Sequence, residues 1–231
     1  MKRFLRFAAW MVAAAAAIFL AVQLSFLARV WWWRDHDPGS TAFMNARLTQ
    51  MHATDSKAKL QQRWVPYARI SENLKRAIVV AEDSRFIEHE GFDWEAIEKA
   101  REKNLKRGKV VAGGSTISQQ LAKNLFLSPS RTPWRKGQEA IITVMIEHVM
   151  DKRRILEIYL NVIEWGDGVF GAEAAARHYY GTGAGGLGPE QAARLAAIVP
   201  DPRRYDRNRS SSFIARKTQT ILARMPLAEL P

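Results

Sequence analysis

A long apolar run with basic flanks opens the chain. Residues 7–28 contain no charged side chain, and their number is close to the roughly 20 residues that a membrane-spanning helix requires. Tryptophans occupy positions 31–33, and indole rings favour the headgroup layer of a bilayer. We therefore predict a transmembrane anchor with an aromatic belt over residues 7–33. A cleaved signal peptide is the alternative, but a signal core has only roughly 7–15 apolar residues.

The charges around this run predict its orientation. Three cations precede it within residues 1–6, whereas Asp35 and Asp37 balance the arginines that follow it. Segments that stay in the cytoplasm carry an excess of Lys and Arg. Residues 1–6 are therefore predicted to be cytoplasmic, and the bulk of the chain to lie outside the cytoplasm.

The pattern of apolar positions changes near residue 64. Residues 34–63 are polar and mixed, and we interpret them as a juxtamembrane linker with one short helix. Residues 64–231 show apolar positions at helical spacing, and no segment alternates over the length of a strand. The prediction is a mostly α domain preceded by one transmembrane helix. Start and stop residues predict helices over 71–83, 93–108, from 115, 132–150, 153–161, 171–180, 189–198 and 212–225.

Composition narrows the possible functions. The 231 residues include no cysteine, which excludes disulfides, thiolate nucleophiles and Cys-ligated metal centres. The formal charge of +12 suits a nucleic acid, a membrane surface or a phosphorylated substrate. An exported domain without helix-turn-helix, zinc-finger or RNP signatures argues against nucleic acid.

Two carboxylates stand out as candidates for chemistry. Glu82 ends an apolar predicted helix, where partial desolvation raises the pKa of a carboxyl group and makes it a better general base. An ordinary helix end, with Arg85 as its ion-pair partner, is the alternative. Glu139 lies one turn after Arg135, so the two side chains share a helix face. Largely apolar neighbours at 141–146 favour a second carboxylate held near cations over a surface ion pair.

A glycine-led helix start carries a cluster of cations. Two glycines occupy 113–114, and the exposed N–H groups of a helix start favour an anion or a sugar hydroxyl. Lys123 lies farther along this helix, and three more cations follow within fourteen residues: Arg131, Arg135 and Lys136. Such a cluster favours a pyrophosphate or another strongly acidic ligand. A flexible loop and a solvated basic face toward anionic lipid are the alternatives.

In this order the clusters resemble the signatures of the peptidoglycan glycosyltransferases, family 51. The resemblance covers residues 64–205, and one anchor without a transpeptidase domain resembles the monofunctional biosynthetic branch of Gram-negative bacteria. Glu164, in the run 164–168 (EWGDG), also resembles that branch, because bifunctional relatives usually have an aromatic residue there. The matching segments are 82–93, 113–124, 135–139, 154–181 and, more weakly, 192–202.

The resemblance implies a lysozyme-like helical fold and an inverting enzyme that polymerises lipid II into β-1,4-linked glycan, releasing undecaprenyl pyrophosphate. By motif, Glu82 is the general base and Glu139 the second catalytic carboxylate, near the donor pyrophosphate. The implied substrate-binding residues are Asp83, Phe86, His89, Gly114, Ser115, Thr116, Gln119, Gln120, Lys123, Asn124, Arg131, Arg135 and Lys136. Pyrophosphate leaves readily once its charge is neutralised, so cations replace the general acid that a glycosidase needs.

The resemblance also implies partners and a location. The partners are lipid II, the growing lipid-linked chain, the bilayer and other cell-wall synthesis proteins, and the catalytic domain is periplasmic on an inner-membrane anchor. It leaves open whether the protein uses a divalent cation, Mg or Mn, for which carboxylates of the first signature would be the candidate ligands. A lysozyme-like lytic enzyme and a non-catalytic cell-wall adaptor are the alternative functions. Residues 106–112 are interpreted as a mobile basic-apolar flap that touches lipid or the acceptor, or as an ordinary exposed loop.

Overall fold

Helices make up most of the chain, as the spacing of its apolar positions predicts. The computed structural model describes residues 1–109, 113–130 and 132–231. Its helices are α1 (Lys2–Trp33), α2 (Ala42–His52), α3 (Glu72–Glu82), α4 (Trp94–Arg107), α5 (Ile117–Phe126), α6 (Pro133–Val149), α7 (Lys152–Val162), α8 (Ala172–Tyr180), α9 (Pro189–Ile198), α10 (Pro202–Arg207) and α11 (Ser212–Arg224). The prediction of a mostly α fold is confirmed.

Side-chain caps set the ends of α4 and α6 where the sequence predicts them. Asp93 accepts a hydrogen bond from the Ala96 amide at 2.9 Å, and Gly108 ends α4 in the left-handed conformation at φ 62°. Thr132 caps α6, which has Pro133 at its first position. A missing N–H costs nothing there, because the first helical amides have no partner within the helix.

The start of α5 differs by one residue from the prediction. Thr116, rather than Ser115, is the cap: its hydroxyl accepts the Gln119 amide at 3.2 Å. The Gln119 side chain in turn accepts the Thr116 amide at 3.1 Å, which completes a capping box. A capping box satisfies two amide groups at once, so it prevails over a cap at the preceding serine.

Residues 34–63 are part of the fold rather than a free linker. Helix α2 packs against α5. Strand β1 (Gln61–Gln62) pairs in parallel with β3 (Val169–Phe170), which pairs antiparallel with β2 (Glu164–Gly166). Strands of two or three residues are too short to show an alternating pattern, which is why the sequence did not predict this sheet.

Helix packing brings the end of α3 to the middle of the domain. Helix α3 packs against α9, and α5 packs against both α6 and α7. Completely buried side chains fill these contacts, including Leu74 and Ile78 of α3, Leu121 of α5 and Ile142 of α6. The last residue of α3, Glu82, lies beside α5, because it accepts a hydrogen bond from Gln120.

Helix α1 is long and apolar enough to cross a membrane, and the described residues contain one such helix. Its second half packs against the rest of the protein. Gln23 donates a hydrogen bond to the Gln138 side chain of α6 at 3.1 Å. The rings of Phe26 and Trp33 each lie 5.2 Å from that of Phe126. This helix, which is consistent with a single-pass membrane anchor, thus packs against the helical domain along one side.

Candidate active site

Glu82 lies at the end of α3, with its carboxylate against α5. Its Oε2 accepts a hydrogen bond from the Gln120 amide at 2.9 Å, and the Gln120 oxygen accepts the Tyr159 hydroxyl at 2.9 Å. Tyr159 is completely buried, so the chain of bonds is anchored in the core. Burial raises the pKa of Glu82, while the Gln120 hydrogen bond and then the charges of Lys217 and Lys123 partly oppose that rise. A raised pKa suits a general base.

Asp83 connects the first candidate cluster to the second. Its Oδ2 accepts the Ile117 amide, the first of α5, at 2.9 Å, and its Oδ1 lies 3.0 Å from His89 Nε2. His89 Nδ1 accepts the Gly91 amide, so Nε2 carries the proton and donates to Asp83. The Thr116 hydroxyl also bonds to the Gly91 carbonyl at 2.7 Å. The Asp83 and His89 side chains thus bind protein groups, and they position α5 beside the neighbouring Glu82.

Phe86 and Gly114, both predicted to bind substrate, have packing roles in the structure. Phe86 is completely buried, and its ring lies 4.7 Å from the Lys152 ammonium, so it has no surface on which a substrate could lie. Gly114 lies against α4, where a Cβ would come within 2.8 Å of Ile97 Cα. This backbone approach requires glycine.

Cations surround Glu139. This carboxylate is 3% exposed, and Arg135 Nη1 donates to its Oε2 at 2.8 Å while Lys136 donates to its Oε1. Burial lowers the pKa of Lys123, and the charge of Glu139 opposes this effect. Arg131 lies outside the described residues. Three cations around one carboxylate leave an excess of positive charge.

A cleft of about 510 Å³, which we call the main cleft, extends from Gln120 and Tyr159 beside Glu82 to the cations Lys123 and Arg135. Asn124 lines it and donates to the Gln120 carbonyl at 2.8 Å. Sequence analysis missed several residues of its wall, because they come from the presumed linker, from α10 or from a buried helix face. The lining residues include Phe43, Gln120, Lys123, Asn124, Arg135, Tyr159, Glu164, Asp201 and Arg203.

The candidate metal ligands do not fit a resident divalent cation. No group of three or more His, Asp or Glu side chains that could hold an ion occurs in the described ranges. Asp83 already accepts hydrogen bonds from the Ile117 amide and His89. Hard cations such as Mg²⁺ need several oxygen ligands in near-octahedral geometry, which these carboxylates do not offer together.

Comparison with known proteins identifies the family. A family model described as Transglycosylase matches residues 48–226. The chain belongs to the transglycosylase family. It is 61% identical over 220 residues to the biosynthetic peptidoglycan transglycosylase of Chromobacterium violaceum, covering 95% of this chain and 96% of that protein. It is also 62% identical over 214 residues to the protein of that name from Dechloromonas aromatica, covering 93% of each, and 55% identical over 231 residues to that of Azoarcus sp., covering all of both.

This transglycosylase has a second cavity beside the start of α5. A largely apolar groove of about 690 Å³, here called the side groove, lies between α4 and the start of α5. Its lining includes four residues that the sequence predicts to bind substrate: Gly114, Ser115, Gln119 and Lys136. Gly108 and Lys109 of the expected flap also line it, whereas residues 110–112 lie outside the described ranges. Arg135 lines the main cleft and Lys136 the side groove, so Glu139 holds one cation toward each cavity.

Proposed function

We propose that the chain is a membrane-anchored peptidoglycan glycosyltransferase that polymerises lipid II into β-1,4-linked glycan strands. The observation that carries the proposal is the partly buried Glu82, with its raised pKa, beside a cleft whose wall carries Lys123 and Arg135. A base and a cationic site for a leaving anion are what glycosyl transfer from a pyrophosphate requires. Relatives that are biosynthetic peptidoglycan transglycosylases by name over nearly the whole chain support a role in peptidoglycan synthesis.

Glu82 is the base in this proposal. Gln120 occupies Oε2, and Oε1 accepts no hydrogen bond from the described residues, so it is available to the acceptor. The acceptor 4-hydroxyl gives its proton to Glu82 as its oxygen attacks the anomeric carbon of the donor. The bond from that carbon to the pyrophosphate breaks on the opposite face, so the configuration inverts and the electron pair leaves with undecaprenyl pyrophosphate.

The cations bind the departing pyrophosphate. Lys123 makes no hydrogen bond within the described residues, and the Arg135 guanidinium makes one side-chain bond there, from Nη1 to Glu139. Both therefore have donors to offer to phosphate oxygens, and buried charge-assisted hydrogen bonds are strong. Glu139 fixes Arg135 and Lys136. It acts as the second essential carboxylate by orienting cations, without exchanging a proton.

The anchor places this chemistry at a membrane. Helix α1 crosses the inner membrane once, with residues 1–6 in the cytoplasm and the catalytic domain in the periplasm. The packing of α1 on α6 keeps the site near the bilayer that carries lipid II and the growing lipid-linked strand. Association with other cell-wall synthesis proteins stays a prediction from the resemblance.

The test is polymerisation of lipid II by the full chain in detergent or liposomes. We expect the wild type to form lipid-linked glycan and Glu82→Gln to lose at least about 10²-fold in rate, because a positioned base contributes about 10²–10⁴-fold. Glu98→Gln, a change at an exposed carboxylate on α4, is the matched control and is expected to retain activity.

Other outcomes would contradict the proposal in distinct ways. Shortening of finished glycan strands without lipid-linked polymer would indicate a lytic enzyme. A wild type that neither polymerises nor cleaves would indicate an adaptor. Full activity of a folded Glu82→Gln variant would remove Glu82 from the role of base.

A further inference from the structure

A third carboxylate lines the main cleft and has no part in the mechanism above. Glu164 begins β2, and its side chain contributes to the wall that also carries Lys123 and Arg135. The side chain is only 15% exposed. Burying a carboxylate is costly unless hydrogen bonds compensate for the lost water. The hydrogen bonds that the protein provides to the Glu164 carboxylate therefore indicate whether this side chain has a structural or a functional role.

The described residues make long contacts, and no short ones, to the Glu164 carboxylate. Its Oε1 accepts the Gly168 amide at 3.3 Å and lies 3.4 Å from Arg47 Nε. Its Oε2 lies 3.8 Å from Arg203 Nε and accepts no hydrogen bond from the described residues. Charge-assisted hydrogen bonds measure about 2.7–2.9 Å, and a carboxylate offers about four acceptor positions. Glu164 is thus an acceptor at the cleft wall whose capacity is mostly unused.

A neighbouring carboxylate already has the structural role. Asp167 lies in the turn of the hairpin formed by β2 and β3, which also carries Glu164. It accepts a direct hydrogen bond from Arg47 Nη2 of α2 and so links this hairpin to α2. Arg47 Nε, the atom nearest Glu164, is buried without a hydrogen-bond partner among the described residues. The link between hairpin and α2 therefore does not need Glu164.

The charge of Glu164 selects which part of a substrate it can face. A carboxylate repels phosphate, whereas it accepts hydrogen bonds from sugar hydroxyls and acetamido N–H groups. Lys123 and Arg135 lie on the same cleft wall and attract phosphate. The main cleft thus has a cationic part that suits a pyrophosphate and a carboxylate that suits an uncharged saccharide.

We propose that Glu164 binds a hydroxyl or acetamido N–H group of the saccharide in the main cleft and so contributes to substrate recognition. This inference rests on the function proposed above. In this role Oε2 accepts a hydrogen bond from the saccharide hydroxyl or N–H group, while Gly168 and Arg203 hold the carboxylate in its orientation.

The test compares Glu164→Ala and Glu164→Gln with Asp167→Asn as the matched control. In lipid II polymerisation we expect Glu164→Ala to raise KM about tenfold to a hundredfold, the effect of losing a hydrogen bond to a charged group. We expect kcat to stay within about twofold, because Glu164 touches no reacting atom in this proposal. Glu164→Gln keeps an accepting oxygen and should raise KM less than Glu164→Ala. Asp167→Asn should leave KM unchanged.

Two further measurements separate recognition from structure. The melting temperature of Glu164→Gln should stay close to that of the wild type, since its amide oxygen can still accept the Gly168 amide. In the Glu82→Gln background, which binds lipid II without consuming it, Glu164→Ala should weaken lipid II binding by the same factor as it raises KM.

The contrary results are equally specific. An unchanged KM for Glu164→Ala, or an equal rise in KM for Asp167→Asn, would overturn the role of Glu164 while leaving the proposed function intact. A lowered melting temperature together with a lower kcat would overturn it in favour of a structural role. A wild type that does not polymerise lipid II would instead refute the proposed function itself.

Discussion

Replacing Asp83 with alanine is expected to destabilise the domain and abolish activity, although Asp83 touches no substrate in the mechanism proposed above. The change leaves two donors without partners: the Ile117 amide at 2.9 Å and His89 Nε2 at 3.0 Å. Ile117 is completely buried and the His89 side chain is 9% exposed, so water cannot replace the carboxylate freely. Each unsatisfied buried donor costs about 1–3 kcal/mol, giving a loss of about 2–6 kcal/mol.

The conservative variant Asp83→Asn sharpens this prediction. Its oxygen can still accept the Ile117 amide, but its NH₂ group would face the protonated Nε2 of His89. Moving that proton to Nδ1 gives no relief, because Nδ1 already accepts the Gly91 amide at 3.1 Å. One hydrogen bond is therefore lost rather than two, and we expect about half the destabilisation of Asp83→Ala.

Thermal unfolding of the full chain in detergent measures both variants. For a domain of this size, about 1 kcal/mol lowers the melting temperature by roughly 2–4 °C, so Asp83→Ala should lower it by roughly 4–24 °C. Glu88→Ala removes an exposed carboxylate that pairs with Arg85 and should change the melting temperature little. Wild-type stability of Asp83→Ala, or equal losses for Asp83→Asn and Asp83→Ala, would refute the reasoning.

Two further predictions concern the base and the cations. Because burial raises the pKa of Glu82 and a base acts only when deprotonated, kcat/KM should rise with pH through a value above the roughly 4.3 of an ordinary glutamate. Gln120→Leu should move this rise to still higher pH, since it removes a hydrogen bond that lowers the pKa; a rise centred at the ordinary value would contradict both. Lys123→Met should lower kcat about 10²–10³-fold, as for loss of a donor to a developing anion. Lys99→Met, at an exposed position, is its control, and equal rates for the two variants would exclude Lys123 from pyrophosphate binding.

The sequence predicts those features of the fold that depend on neighbours along the chain. The starts of α4 and α6 depend on Asp93 and Thr132, each of which caps an amide three residues ahead, so their signals are local. Helix α10 has six residues, which is too short for an apolar face to emerge. The pairing of residues 61–62 with residues 169–170 depends on packing between distant segments, and no local pattern carries it.

The same limit explains the predictions for the site. Clustered residue types point to Glu82, Glu139 and the cations, because chemistry requires those types. They do not reveal that Phe86 is completely buried, since an aromatic residue beside polar ones suits either core or cleft. They also assign the same substrate-binding role to Gln119 and Gln120, whereas Gln119 completes a helix cap and Gln120 donates a hydrogen bond to Glu82.

The backbone gives two adjacent carboxylates different roles. Helix α3 ends at Glu82, and Asp83 leaves it with φ −162° and ψ 76°, so the two side chains diverge. Asp83 reaches the first amide of α5, where the helix dipole favours a negative charge and the ion is satisfied by protein groups. Among the described residues, Glu82 accepts a hydrogen bond from one amide, that of Gln120, so burial outweighs this stabilisation and its pKa rises. A single turn in the chain therefore gives one carboxylate a structural role and leaves its neighbour with the raised pKa that the proposed base requires.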